Sequence, residues 1–366
     1  MDRTKPPYRA DHVGSLLRPD SIKAARAKRE AGQLGADELT KIEDREIERA
    51  IRRQEEIGLK LATDGEFRRS WWHYDFLGAL DGVRLVRGSG QLQFHGIQSR
   101  AEHLEVHGKV GFTKHPMIDH FKFVKDHTRV TAKMTIPSPS ILHFRLGYNA
   151  IKGLYPDIDA FFADTAQAYA KAIRAFYDAG CRYLQLDDTA FAYLCSEEQL
   201  AQARERGDDT ANLGQRYVRT INQALAAKPR DMAITMHVCR GNFRSTWISE
   251  GGYEPVAELV LAGLDLDGYF LEYDTDRAGG FEPLRFLPKG PKIVVLGLIT
   301  SKSGVLEKKD AVKRRIDEAA KFAPIEQFCL SPQCGFASTE EGNILTEAEQ
   351  WAKLSEIVAI ADEVWG

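Results

Sequence analysis

Along the chain, short apolar runs alternate with longer amphipathic stretches. Between 41 and 57, Ile42, Ile47, Ala50, Ile51, Gln54 and Ile57 recur at close to helical spacing among charges, and Gly58 ends the pattern. Leu59 to Thr63 follows as a run short enough for a strand. In the second half, Asp157 and Asp159 precede Phe161, Thr165, Ala168, Ala172 and Phe176. That predicts a helix with an acidic N-terminus, stopped by Gly180. Strands are then predicted at Tyr183–Leu186, Ala233–Met236, Gly268–Leu271, Ile293–Gly297 and Gln327–Leu330. Helices near 211–226, 254–262 and 307–321 separate most of them, and Trp351, Leu354, Val358, Ala361 and Trp365 mark a last amphipathic helix.

Buried strands alternating with helices imply a parallel sheet. About eight strands fit between Ala10 and Leu330, and no linker or repeat divides the chain. The expectation is an α/β fold of the (β/α)8 TIM-barrel type, one domain over residues 1–366. A doubly wound sheet is the alternative, but the first strand lacks a Gly-x-Gly-x-x-Gly turn. Residues 84–127, rich in Gly, His and aromatics, break the alternation and are expected to form a β-rich insertion after the second strand. Histidines 73, 95, 103, 107, 115, 120 and 127 are spread through this region too irregularly to suggest a metal site.

Composition narrows the function classes. Of 366 residues, 43% are hydrophobic, and 50 Lys and Arg nearly balance 53 Asp and Glu, for a net charge of −3. That supports a large core and argues against disorder and against nucleic-acid partners. No apolar run reaches the roughly 20 residues of a membrane helix. The charged, proline-broken start MDRTKPPY is no signal peptide, so a cytoplasmic location is expected. Five scattered cysteines make a disulfide framework improbable and point to a thiol that binds metal or acts as a nucleophile.

In a barrel, chemistry sits where strands end. His237 and Cys239 follow one strand at a spacing that turns both side chains the same way. Glu272 ends another strand, and Cys334 stands beside Pro and Gly just past the last apolar run. Singly, each has a bland reading as core packing or a salt-bridge partner. Together they form a metal-ligand set, and the two thiols favour Zn2+ over magnesium or calcium. Glu66 and Asp187, with Asp64 and Asp188 beside them, also follow strands; they suit acid–base work, an ammonium group, or plain helix capping. Near the first strand, the backbone at Val13, Gly14 and Ser15 offers N–H groups to a carboxylate, whereas His12 reads as a structural hydrogen-bonder. Trp71, Trp72 and His73 either line a pocket mouth or cover the barrel.

Val13-Gly14-Ser15, Thr63-Asp64-Gly65-Glu66-Phe67, Leu184-Gln-Leu-Asp187, His237-Val-Cys239, Phe270-Leu-Glu272 and Pro332-Gln-Cys334-Gly335 occur in one order. From about residue 8 to the C-terminus the chain resembles the catalytic C-terminal barrel of cobalamin-independent methionine synthase. The resemblance implies His237, Cys239, Glu272 and Cys334 as zinc ligands. It places the carboxylate of homocysteine at Val13–Ser15 and its ammonium group at Glu66 and Asp187. It further implies transfer of a methyl group to the homocysteine thiol, held on zinc as a thiolate. Two thiolates and a carboxylate around Zn2+ leave excess negative charge, which keeps a bound sulfur electron-rich.

The chain departs from that pattern where the donor binds. There is room for one barrel instead of two, Thr300 replaces a histidine that assists proton transfer, and Phe144 replaces a tryptophan near the folate. Thr300 cannot act as a general acid near neutral pH. Methylfolates are therefore expected to be slow donors beside a pre-activated methyl or strained alkyl donor. Alternatives are an alkyl transferase of the epoxyalkane:coenzyme M type, with Arg18 and Lys302 offered to the sulfonate, and a metal hydrolase on the same fold. Two thiolates make a poor Lewis acid, which counts against the hydrolase. The oligomeric state is not legible.

Overall fold

The computed structural model describes residues 3–87, 93–94, 97–98, 102–240, 242–243, 246–247, 252–275 and 278–366. One parallel sheet carries seven strands in chain order. They are β1 (Leu61–Ala62), β2 (Thr131–Pro137), β3 (Tyr183–Asp188), β4 (Ala233–Val238), β5 (Gly268–Glu272), β6 (Ile293–Ile299) and β7 (Phe328–Pro332). Strands β3 to β7 are buried almost throughout, as expected when helices cover one face and side chains fill the other. The helices Ala36–Glu56, Ile158–Asp178 and Glu347–Trp365 turn apolar stripes inward. Asp157 caps the second by accepting from the N–H of Asp159 at 2.9 Å.

The sheet curls back on itself at the N-terminal segment. Ala10 makes a parallel bridge with Leu330 of β7, and across the seam the Tyr8 and Thr131 hydroxyls are 2.6 Å apart. The eighth strand expected at Ala10 is thus a single bridge. Asp11 supplies the reason: its carboxylate takes the N–H groups of Tyr8 and His12, at 3.1 and 2.8 Å, so the backbone turns instead of extending a ladder. His12 bonds Gln54 at 3.0 Å and is structural, as its sequence context suggested.

Three other elements differ from the periodicity reading. Strand β2 is hidden in the sequence because it carries Lys133, which is buried and paired with Asp11 at 3.0 Å. In the insertion, Asp81–Arg87 and Glu102–Gly111 pair as antiparallel strands, but Pro116–His127 is a helix. Met117, Phe121 and Val124 give it a buried face that its histidines obscure; His95 lies outside the described residues. Near 254–262 the chain forms only a five-residue π-turn, Glu258–Ala262, closed by Gly263 N–H to Glu258 O at 3.1 Å.

Candidate metal centre and cleft

Adjacent strands bring the sequence-distant residues to one point. Asp187 at the end of β3 stands directly beside His237 on β4. Cys239 lies one residue past β4, fixed by its N–H to Asp188 O at 2.7 Å. Glu272 ends β5, and Cys334 follows β7, with the neighbouring Gln333 N–H bonded to Ile299 O at 2.7 Å. The donor atoms of His237, Cys239, Glu272 and Cys334 all lie within 4.8 Å of one another, and all four residues are buried.

The set fits a tetrahedral ion. The two sulfurs are 3.6 Å apart, close to the ~3.8 Å expected for two bonds of about 2.3 Å to one tetrahedral centre. Both ring nitrogens of His237 are buried without a hydrogen-bond partner. Glu272 is aimed by Arg240 N–H, 3.0 Å from one carboxylate oxygen, and by Gln333 at 3.4 Å from the other. Tyr253 ties the two strand ends together, accepting from Glu272 N–H at 2.8 Å and donating to Val238 O at 3.3 Å. A hydrogen bond with Cys239 draws the Cys334 thiol well below its ordinary value despite burial, and His237 adds to the effect. Burial opposes charge on His237, but Cys334, Asp187 and Glu272 outweigh it and lift the ring to about 9.

His237, Cys239 and Cys334 line a cleft that Val13, Ser15, Glu66 and Asp187 also line. Burial first, then the nearby Glu66 charge, push Asp187 up to about 7, and Gln185 donates to it at 2.7 Å. Glu66 sits in a left-handed backbone conformation, φ 59°, and is held by Arg69. Gly14 is required here: its φ is 134°, and a Cβ would lie 2.6 Å from Glu66 Oε1. The carbonyls of Val13, Gly14 and Ser15 are taken by Gln185, Thr63 and Phe336 N–H, while the N–H groups of Gly14 and Ser15 have no partner among the described residues.

Other sequence candidates are used structurally. Asp188 accepts from Ser138, Ser140 and, at 2.9 Å, Phe191 N–H, so it caps a turn. Asp64 accepts Glu66 N–H at 2.7 Å. Arg18 donates to three backbone carbonyls, and Lys302 faces Asp274 at 3.6 Å. Thr300 does not line the cleft, and its hydroxyl accepts Lys302 N–H at 3.3 Å. Trp71 and Trp72 line the cleft, whereas His73 is buried behind them against Tyr74. Sequence reasoning missed Arg69, Arg145, Thr189, Tyr193, Ser338 and Thr339 on the cleft wall. The available signal was the four-residue spacing of Thr189 and Tyr193 just after the strand ending in Asp188.

Residues 10–362 match the family model described as "Cobalamin-independent synthase, Catalytic domain". The uncharacterized protein YxjH of Bacillus subtilis (strain 168) is 54% identical over 362 residues, covering 99% of this chain and 96% of that protein. A methionine synthase of Pyrococcus abyssi is 22% identical, over 88% of this chain and 84% of its own. A Listeria monocytogenes structure assigned as a vitamin-B12 independent methionine synthase superposes with a TM-score of 0.81 at 45% identity, over the whole of both chains. A B12-independent methionine synthase from Shewanella sp. W3-18-1, solved with selenomethionine, shares the fold at 17% identity and a TM-score of 0.74 over 97% of each chain. The chain belongs to the methyltransferase family defined by the catalytic domain of cobalamin-independent methionine synthase.

Proposed function

We propose that this protein is a zinc-dependent S-methyltransferase that converts homocysteine to methionine. On this reading residues 1–366 act as one (β/α)8 domain in the cytoplasm, with residues 8–14 in the place of the first strand. His237, Cys239, Glu272 and Cys334 hold Zn2+. Bound zinc supplies a lowered thiol pKa and a fixed position for the substrate sulfur. The N–H groups of Gly14 and Ser15, without a partner among the described residues, take the amino-acid carboxylate, and Glu66 and Asp187 take the ammonium group.

The observation that carries the reading is the meeting of these groups in one cleft. A two-thiol ligand set, two carboxylates and two unpaired N–H groups complement a zwitterion that carries a thiol. Asp187, pushed up to about 7, gains most from the incoming cation, because an ammonium neighbour favours its charged form. Gln185 and Arg69 keep the two carboxylates apart and oriented while the site is unliganded. Burial of the cleft floor excludes water from the sulfur and strengthens each charge–charge contact.

Metal analysis followed by titration with homocysteine tests the reading. The expected result is about one zinc per chain and thiol binding that requires it. A metal-free protein that binds homocysteine equally well would overturn it.

A further inference from the structure

A second stretch of the cleft wall has the opposite chemistry. Thr189 and Tyr193 both line the cleft, both are buried, and neither hydroxyl has a hydrogen-bond partner among the described residues. They flank the single turn Ala190–Tyr193, four residues apart, and so share one face of it. Arg145 completes the wall. Its guanidinium lies 5.9 Å from the Trp72 ring and 5.4 Å from the Phe144 ring, and its buried Nε is also without a partner. Cation–π contact with aromatic faces helps to hold a guanidinium while leaving its N–H edge available. No carboxylate pairs with Arg145 among the described residues.

We propose that Arg145, Thr189 and Tyr193 form a second polar subsite that binds an anionic group of the alkyl donor. The inference rests on the proposed thiol transfer: homocysteine's own carboxylate and ammonium are served by Gly14, Ser15, Glu66 and Asp187, so the second wall is left for the second substrate. A half-buried cation with two buried O–H groups complements an acceptor-rich anion, a carboxylate or sulfonate. A cationic or purely apolar donor would leave all three groups unpaired, at a cost for each. The donor class is therefore one in which the transferable carbon is borne by a molecule with a nearby carboxylate or sulfonate.

Two sulfonium probes that differ in this respect test the inference on the zinc-loaded protein: dimethylsulfonioacetate, which carries a carboxylate, and trimethylsulfonium, which does not. Quenching of Trp71 and Trp72 at the cleft reports binding. The wild type should bind the carboxylate probe about ten- to a hundredfold tighter. Arg145→Gln should abolish that preference while leaving homocysteine binding within about twofold. Tyr193→Phe, which removes one oxygen only, should weaken the carboxylate probe about three- to tenfold. Equal binding of the two sulfonium ions by the wild type, absence of binding by either, or an undiminished preference in Arg145→Gln would overturn the proposal.

A third arm uses 2-mercaptoethanesulfonate, a thiol with its own anion. If it displaces dimethylsulfonioacetate in an Arg145-dependent way, the subsite serves the thiol acceptor, and the assignment to the donor fails. Loss of homocysteine binding with the sulfonium preference intact would instead defeat the homocysteine reading alone.

Discussion

The two walls of the cleft are built from different kinds of structure. Glu66, Asp187 and the four candidate ligands stand at or within four residues of the ends of sheet strands, most of them locked by backbone bonds between neighbours. Arg145 and Tyr193 come from short helices beyond the strands, Pro139–Leu146 and Ala190–Tyr193, and Thr189 is the residue that leads into the second. The first wall gathers thiols and carboxylates; the second presents donors without acceptors. Rigid strand ends suit a centre whose donor atoms must meet within a few tenths of an ångström. Short helices in connections can change chemistry without disturbing the sheet.

The comparison breaks most sharply at the metal. Cys239→Ser and Cys334→Ser should each drop zinc from about one per chain to near none while the protein stays folded. Elemental analysis and far-UV circular dichroism check both halves. Full zinc in both variants would remove the chemical basis for separating the walls.

Asp187 gives the next largest effect. Its carboxyl is raised from 3.8 to about 7 by burial and by Glu66, so the native metal-free protein holds a proton from about pH 4 to 7 that the unfolded chain has lost. The stabilisation tied to that proton is complete below about pH 4 and declines as pH rises towards 7, by at most about 4 kcal/mol. Asp187→Asn should flatten this part of the slope in denaturant titrations at the two pH values. An identical slope in wild type and variant would show that the group does not titrate there.

The same substitution sharpens the contrast in binding. If Asp187 holds an ammonium group, Asp187→Asn should weaken homocysteine about ten- to a hundredfold and barely affect 4-mercaptobutyrate, which lacks the amino group. Calorimetry distinguishes this from an equal loss for both thiols, which would place the carboxylate in another role. The smallest effect is expected at Thr300, outside both walls. Thr300→Val should change transfer by no more than about twofold. A larger loss would bring the end of β6 into the donor site.

Much of the strand-end wall was legible because its determinants are local. Residues two apart on a strand face one way, and polar residues immediately after an apolar run fall at the sheet's C-terminal edge. That reasoning singled out Asp187 and Asp188 together, yet they diverge. Asp187 enters the cleft, while Asp188 turns to Ser138 and Ser140. Alternation dictates that neighbours point oppositely; which of the two faces the cleft depends on the sheet's curl. Strand β2 escaped notice because a buried lysine breaks its apolar run, and its partner Asp11 lies 122 residues away.

By itself, the sequence determined the alternation of strands and helices, the family, and the chemical types collected at strand ends, since each follows from spacing over a few residues. Only the tertiary structure decided that sulfurs 95 positions apart come within 3.6 Å, that Arg18 is consumed by backbone carbonyls, and that Arg145, Thr189 and Tyr193 line one cleft with the Arg145 Nε and both hydroxyls unpaired among the described residues. Such meetings are set by strand register and by how the sheet closes, and no local periodicity encodes the distance between residues on different strands.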